Sequence, residues 1–291
     1  MAKSPPRPYA VSSLSVPFVG KESPMEPKEN DALRDAVRDR YGEVARTGRG
    51  CCAPQASCCT PTPPLPLAVD STRLGYTAAD LAAVPDGANL GLGCGNPRAI
   101  AALRVGEVVV DLGCGAGLDC FLASRQVGPS GRVIGVDMTP DMVQRARANG
   151  RAGGITNVEI RLGEIEHLPV ADGSADCILS NCVINLSPDK QQVFREAYRV
   201  LRPGGRLAIS DTVATTPLPA PLARDLSLTT GCIAGAATVA EIEGWLAAAG
   251  FTAIAVAPIE ASRAVIDSWL PGHDLGRYIA SATIEAVRPA R

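Results

Sequence analysis

The chain has 291 residues, 46% of them hydrophobic, which is enough for one large α/β domain or two modest ones with a sizeable core. A formal net charge of −2 and a pI near 5.8 leave no basic footprint for nucleic acid or an anionic membrane, and aromatic residues at 4% offer few platforms for stacking bases. Ten cysteines beside only two histidines, His167 and His273, argue against a His-rich zinc site and for metalloid, metal or redox chemistry in a reducing compartment.

Residues 1–26 are rich in Pro, Ser and Lys and read as a disordered tail. Pro5, Pro6, Pro8 and Pro17 break any apolar run there, so no secretory signal is expected. A first helix is expected over 29–46, capped near Asn30 or Asp31, with Leu33, Val37, Tyr41 and Val44 on one face and Gly48 and Gly50 ending it. Prolines 54, 61, 63, 64 and 66 make 51–66 a Cys- and Pro-rich loop. Short helices are expected near 77–83 and 97–104, on either side of a loop that carries Cys94.

From residue 106 strand and helix alternate. Strands are predicted at 107–112, 132–137, 157–162, 176–180 and 206–211, and helices at 117–127, 139–149 and 188–201. The Val108-Val109-Val110 run suits a strand covered on both faces. Residues 213–236, with Cys232, interrupt the alternation before a helix at 238–249 and strands at 252–258 and 279–287. The apolar stretch 246–259 holds Gly250 and Pro258, so it reads as helix end, turn and strand, not as a membrane span. The pattern predicts a doubly wound, seven-stranded, mostly parallel sheet that binds ligands at the carboxyl ends of its strands.

The segment Asp111–Gly117, DLGCGAG, follows a buried strand and opens a helix. Gly113, Gly115 and Gly117 allow a sharp turn and a close approach to a ligand, and Asp137 at the end of the next strand is placed to accept both hydroxyl hydrogens of a ribose. A nicotinamide dinucleotide and S-adenosylmethionine both suit that geometry. The leading Asp111 favours the latter, since it is expected near the amino-acid end of the molecule.

The cysteines divide by position. Cys114, Cys120 and Cys177 fall in the loop, helix and strand of the core and read as small packed hydrophobes. Cys182 follows the fourth strand, Cys232 lies in the insertion after the fifth, and Cys94 sits among Gly91, Gly93 and Gly95. All three are expected on the ligand-binding edge, where converging thiols suit a thiol-seeking substrate, arsenic(III) foremost. Thiolate is the binding form, so acid is expected to weaken binding. Where amine-methylating enzymes acting on nucleic acid carry an NPPY-like tetrad, this chain has Asn181-Cys182-Val183-Ile184. The Cys51-Cys52 and Cys58-Cys59 pairs lack structural-zinc spacing; they leave open thiol delivery to the site, separate metalloid binding, a redox disulfide and an inert loop.

DLGCGAG and GVDMT resemble the class I methyltransferases. YGEVAR at 41–46, LGYTAADLAAVPDGANLGLGCGNP at 74–97, SNCVINLSPDKQQVFREAYRVLRPGG from Ser180 and GCIAGA at 231–236 resemble the bacterial arsenite S-adenosylmethionine methyltransferases. The resemblance covers about residues 30–290. It implies a Rossmann-like domain over 106–212 that binds the methyl donor, an N-terminal helical and Cys-rich segment over 27–105, and a substrate-binding part over 213–291. It further implies Asp137 on the ribose, Met138 beside the adenine, residues 163–166 (Glu164 and Ile165 among them) near the adenine ring, and Asn181 on the donor. Arsenic would be held by Cys182 and Cys232 most directly. Cys94 and one of Cys51 or Cys52 would complete binding or relay electrons.

The same resemblance implies a monomer that takes arsenite and methylated arsenicals, with glutathione or thioredoxin as thiol reductant. With no secretory signal or membrane span expected, the cytoplasm is the default location. The lack of a basic footprint and of a membrane span leads to the expectation of no nucleic-acid or membrane partner. A quinone-type carbon methyltransferase shares the RVLRPGG turn but has no use for the three thiols. A non-catalytic arsenic-binding protein would have no use for DLGCGAG and Asp137. Antimony, selenium and tellurium are further soft acceptors.

Overall fold

The computed structural model describes residues 27–47, 69–223 and 225–290. The expected tail over 1–26, the helix end at Gly48 and Gly50, and the loop with Cys51, Cys52, Cys58 and Cys59 lie outside the described residues.

Helix α1, Pro27–Thr47, begins before the expected Asn30 or Asp31 cap; proline suits a first helical turn, where its missing N–H is not needed. A 3-10 turn, Ser71–Leu74, and two short helices follow: α2, Ala78–Ala82, closed by a Thr77/Asp80 capping box, and α3, Arg98–Ala101. Helix α3 stops short of residue 104 because Ala102 takes a left-handed φ of 46°.

The alternating part runs β1 Val108–Leu112, α4 Leu118–Val127, β2 Arg132–Asp137, α5 Pro140–Ala152, β3 Val158–Leu162, β4 Ala175–Asn181 and α6 Lys190–Val200. Strand β5 spans Leu201–Ala214, longer than expected at both ends. Its pairing to β4 jumps from Ala175↔Leu201 to Cys177↔Arg206, so Pro203-Gly204-Gly205 bulges out of an otherwise parallel ladder. The insertion folds into α7, Ala220–Ala223, and α8, Leu226–Thr229. Then come α9 Val239–Ala249, β6 Thr252–Pro258, α10 Arg263–Asp267 and β7 Ile279–Val287.

The seven strands lie in the order β3-β2-β1-β4-β5-β7-β6. The first five are parallel, and β7 runs antiparallel to both β5 and β6. Val109, Val110 and Leu112 of β1 are buried, as a strand covered by helices on both faces requires. One cluster, with Leu112, Ile178, Phe194 and Ile209, packs under α6 and α9; a second, with Val109, Val133, Ala123 and Leu179, packs under α4. The order switches between β1 and β4, which opens a crevice at their carboxyl ends. No described helix is long and apolar enough to cross a membrane.

Candidate active site

A single cleft extends from the β1–α4 loop to the insertion, roofed by Arg34, Val37 and Tyr41 of α1. At its β1 end the chain turns through Gly113, with φ of 63°, and a side chain there would run into Val183. Only glycine satisfies both conditions. The Gly115 N–H donates to Asp137 Oδ2 at 2.9 Å and the Thr139 N–H to Asp137 Oδ1 at 2.8 Å. Each carboxylate oxygen keeps a lone pair for a ligand hydroxyl. Burial raises the Asp137 pKa, against those two N–H donors. Gly117 starts α4 and is not part of the cleft lining, whereas Gly113, Gly115, Asp137, Met138, Ile165 and Asn181 are.

Glu164 faces α1 and does not line the cleft. It accepts from Arg38 Nη2 at 2.6 Å and lies 3.6 Å from Arg34 Nε. On its other side α1 is tied to the insertion by Arg40, which donates to Thr230 Oγ1 at 2.8 Å, and by the Tyr41 hydroxyl on the Thr230 carbonyl at 3.4 Å.

Asp111 and Asp119 line the cleft on the same β1–α4 side, both buried. Burial and then the other carboxyl raise Asp111 well above its usual range; burial also raises Asp119, against hydrogen bonds from Tyr76 and Asn181. The Tyr76 hydroxyl donates to Asp119 at 2.8 Å. Asn181 Nδ2 donates to the Tyr76 oxygen and the Gly95 carbonyl, and its Oδ1 accepts the Cys94 N–H at 3.1 Å. A Cβ on Gly93 would sit 2.8 Å from Asn181 Oδ1, so that loop lies on Asn181 only because position 93 is glycine. Two buried acids with Arg98 as a distant partner, 3.9 Å from Asp119, fit a cationic ligand end.

The thiols meet beside Asn181, whose Oδ1 holds the Cys94 N–H and which directly precedes Cys182. Cys182 leaves β4 with φ of 58° and Cys232 has φ of 61°, a left-handed backbone that costs a non-glycine residue of order 1–3 kcal/mol. The Cys182 N–H is fixed on the Ser210 carbonyl at 2.8 Å. The Cys232 thiol donates to the Cys182 carbonyl at 2.9 Å. The Cys94 and Cys182 sulfurs lie within 4.8 Å of each other. Cys182 and Cys232 line the cleft; Cys94 sits behind them in an apolar cluster with Ile233, Trp269 and Ile279. Sequence order leaves these three segments far apart, and the structure brings them together.

All three thiols have raised pKa values. Burial leads at Cys94; at Cys232 the hydrogen bond with Cys182 leads and burial adds to it. At Cys182 the bond with Cys232 lowers the value, but the bond with Cys94 and burial outweigh it. The thiols therefore carry protons at neutral pH. The expected weakening by acid does not follow from such a site, because there is no thiolate for acid to remove.

A buried polar clamp holds the two strained turns. Asp211 Oδ2 accepts the Ile184 N–H at 3.0 Å, and Asp211 Oδ1 accepts Asn185 Nδ2 and the Thr212 N–H, both at 2.8 Å. The Thr212 hydroxyl donates to the Cys232 carbonyl at 2.6 Å. Burial pushes the Asp211 carboxyl up to about 6. The sequence reading missed Tyr76, Asp119, Asn185, Asp211, Thr212 and Trp269. Polar residues within apolar runs, such as Asp211-Thr212 in AISDTVA, and one of only two tryptophans were the available signals.

A methyltransferase-domain family model matches residues 103–250. The arsenite methyltransferase of Halobacterium salinarum is 51% identical over 277 residues, covering 93% of this chain and 70% of the relative. That of Aquipseudomonas alcaligenes is 46% identical over 167 residues, 55% of this chain and 48% of the relative. Among solved structures, the arsenic(III) S-adenosylmethionine methyltransferase of Chlamydomonas reinhardtii matches with a TM-score of 0.56 at 31% identity, covering 78% of this chain and 74% of that one. With a class I methyltransferase fold, a glycine turn and acid suited to S-adenosylmethionine, and a relative 51% identical over 93% of this chain, the chain belongs to the arsenite methyltransferase family.

Proposed function

We propose that this chain binds arsenic(III) through Cys94, Cys182 and Cys232 and methylates it with S-adenosylmethionine. The observation that carries the reading is that Cys182 and Cys232 line the same cleft as Gly113, Gly115 and Asp137, with the Cys94 and Cys182 sulfurs within 4.8 Å of each other.

Asp137 would hold the ribose hydroxyls, Met138 and Ile165 the adenine, and Asp111 and Asp119 the ammonium of the amino-acid end. Bound there, S-adenosylmethionine supplies an electrophilic methyl group. Arsenous acid enters as As(OH)3 and exchanges with three thiols: As(OH)3 + 3 RSH → As(SR)3 + 3 H2O. Three As–O bonds are replaced by As–S bonds, and each thiol proton leaves in a water molecule. Arsenic keeps its lone pair, and that nucleophile carries no proton to remove. The absence of histidine and lysine from the thiol turns therefore fits, since no general base is needed. The protein's contribution is alignment: strained turns and the Asp211 clamp fix two thiols before substrate arrives, and α1 shields the cleft from water. Attack would form the As–C bond and break the donor's C–S bond, with S-adenosylhomocysteine leaving. The arsenic, now formally As(V), would return to As(III) as two cysteine sulfurs join in a disulfide. Glutathione or thioredoxin would reduce that disulfide to thiols, in the cytoplasm and on a monomer. One of Cys51 or Cys52 would take part in that redox cycle.

Incubation with arsenite, glutathione and S-adenosylmethionine, followed by arsenic speciation, tests the reading. Methylated arsenicals are expected, and Cys182→Ser and Cys232→Ser should lose them while still binding S-adenosylmethionine. Wild-type rates in both variants would remove the thiols from the mechanism.

A further inference from the structure

We propose that the thiol end of the cleft is also a binding site for a divalent thiophilic cation, zinc(II) or cadmium(II), with the Asp211 carboxylate as a ligand beside Cys94 and Cys182. The ligand atoms of these three residues all lie within 4.8 Å of one another. The inference rests on the assignment of Cys94 and Cys182 to substrate binding and adds a ligand that arsenic does not need. Arsenic(III) bound to three sulfurs is satisfied and keeps a lone pair. A divalent cation has no such lone pair and takes four donors, with carboxylate oxygen acceptable beside sulfur.

Asp211 is equipped for that role. Its Oδ1 is occupied by Asn185 Nδ2 and the Thr212 N–H, both at 2.8 Å. Its Oδ2 receives only the Ile184 N–H, at 3.0 Å, which leaves one lone pair to reach a metal. Those bonds orient the carboxylate as hydrogen bonds from outside the ligand shell orient ligands in metal sites generally. The carboxylate is 2% exposed, so two thiolates and one carboxylate would hold a cation in a largely dehydrated pocket. The Cys232 thiol donates to the Cys182 carbonyl at 2.9 Å, and water would fill the fourth position. Binding exchanges the two thiol protons for the cation, M2+ + 2 RSH → M(SR)2 + 2 H+, with no change of oxidation state.

Cadmium(II) is the probe, because its bonds to sulfur and oxygen are separable by X-ray absorption. The full chain, reduced and loaded with one equivalent of cadmium, should show a mixed sulfur and oxygen shell, and cadmium should inhibit arsenite methylation competitively with arsenite. Asp211→Asn should raise the cadmium concentration for half-inhibition, relative to its own uninhibited rate, about tenfold or more. A shell of sulfur alone in the wild type, or methylation indifferent to cadmium, overturns the proposal; so does unchanged inhibition in Asp211→Asn. The absorption measurement needs only the wild type, so a poorly folding variant leaves the test intact. Failure of the wild type to methylate arsenite at all would instead sink the functional reading beneath it.

Discussion

Cys182 and Cys232 at the cleft contrast with Cys120 and Cys177 in the core, although burial raises the thiol pKa in both groups. Burial pushes Cys177 up to about 12; at Cys120 the hydrogen bond with Cys114 comes first and burial second. A raised pKa therefore does not separate a functional thiol from a structural one here. Backbone and surroundings do. Cys120 lies in α4 and Cys177 in β4, both fully buried and packed against Val109, Ala123 and Leu179. Cys182 and Cys232 instead occupy left-handed turns whose strain is held by a buried clamp. Such strain persists only where surrounding structure over-determines it.

The contrast is broken most directly by serine. Cys182→Ser or Cys232→Ser should lower arsenite methylation about a hundredfold or more, because serine oxygen does not replace an arsenic-bound thiol and misplaced reactants cost about that much. Cys177→Ser should lower stability by about 1–3 kcal/mol, as a buried hydroxyl without a partner does, and leave the rate per folded molecule unchanged. Equal effects in a rate assay normalised to folded protein would erase the distinction.

Within the same cleft, Asp137→Ala should weaken S-adenosylmethionine about tenfold or more in a calorimetric titration, through loss of charge-assisted bonds. Unchanged affinity would remove Asp137 from the ribose. The strain is weighed by comparing Cys182→Gly with Cys182→Ala. Both lack the thiol, yet the glycine variant should unfold later, by about 1–2 kcal/mol, since only glycine accepts φ of 58° without cost. Equal denaturation midpoints would mean the turn is unstrained.

The smallest effect concerns pH. With the thiol pKa values raised, the free site is protonated and exchange with As(OH)3 neither takes up nor releases protons. Arsenite affinity should then vary less than about twofold between about pH 6 and about pH 8. A tenfold loss toward acid would show that thiolates are the resting form.

The donor end of the cleft was legible because its parts are local. Val108–Gly117 and Asp137 carry strand, turn and acid within one stretch of sequence, and the sheet follows from alternating periodicities. The thiol end was legible only as separate pieces, since strand-end positions nominate Cys182 and Cys232 but do not say that their thiols touch. The clamp escaped altogether: Asp211 and Thr212 lie in an apolar strand, and their partners Ile184, Asn185 and Cys232 come from other parts of the chain. Pairing of β7 between β5 and β6 was equally hidden, since periodicity gives a strand's faces and not its neighbours. Short α7, α8 and α10 have too few turns for a helical stripe to register.

Strand β7 lies beside β5 along nine paired positions, from Arg206↔Val287 to Ala214↔Ile279, and Ile279 packs in the cluster that holds Cys94. Chain emerging from a ribosome thus cannot finish its sulfur pocket until residue 287 is available, long after the nucleoside half is made. The same strand packs Ala282, Ile284 and Ala286 into the cluster with Leu112, Ile134 and Val136, so both halves of the cleft wait on the chain's last strand.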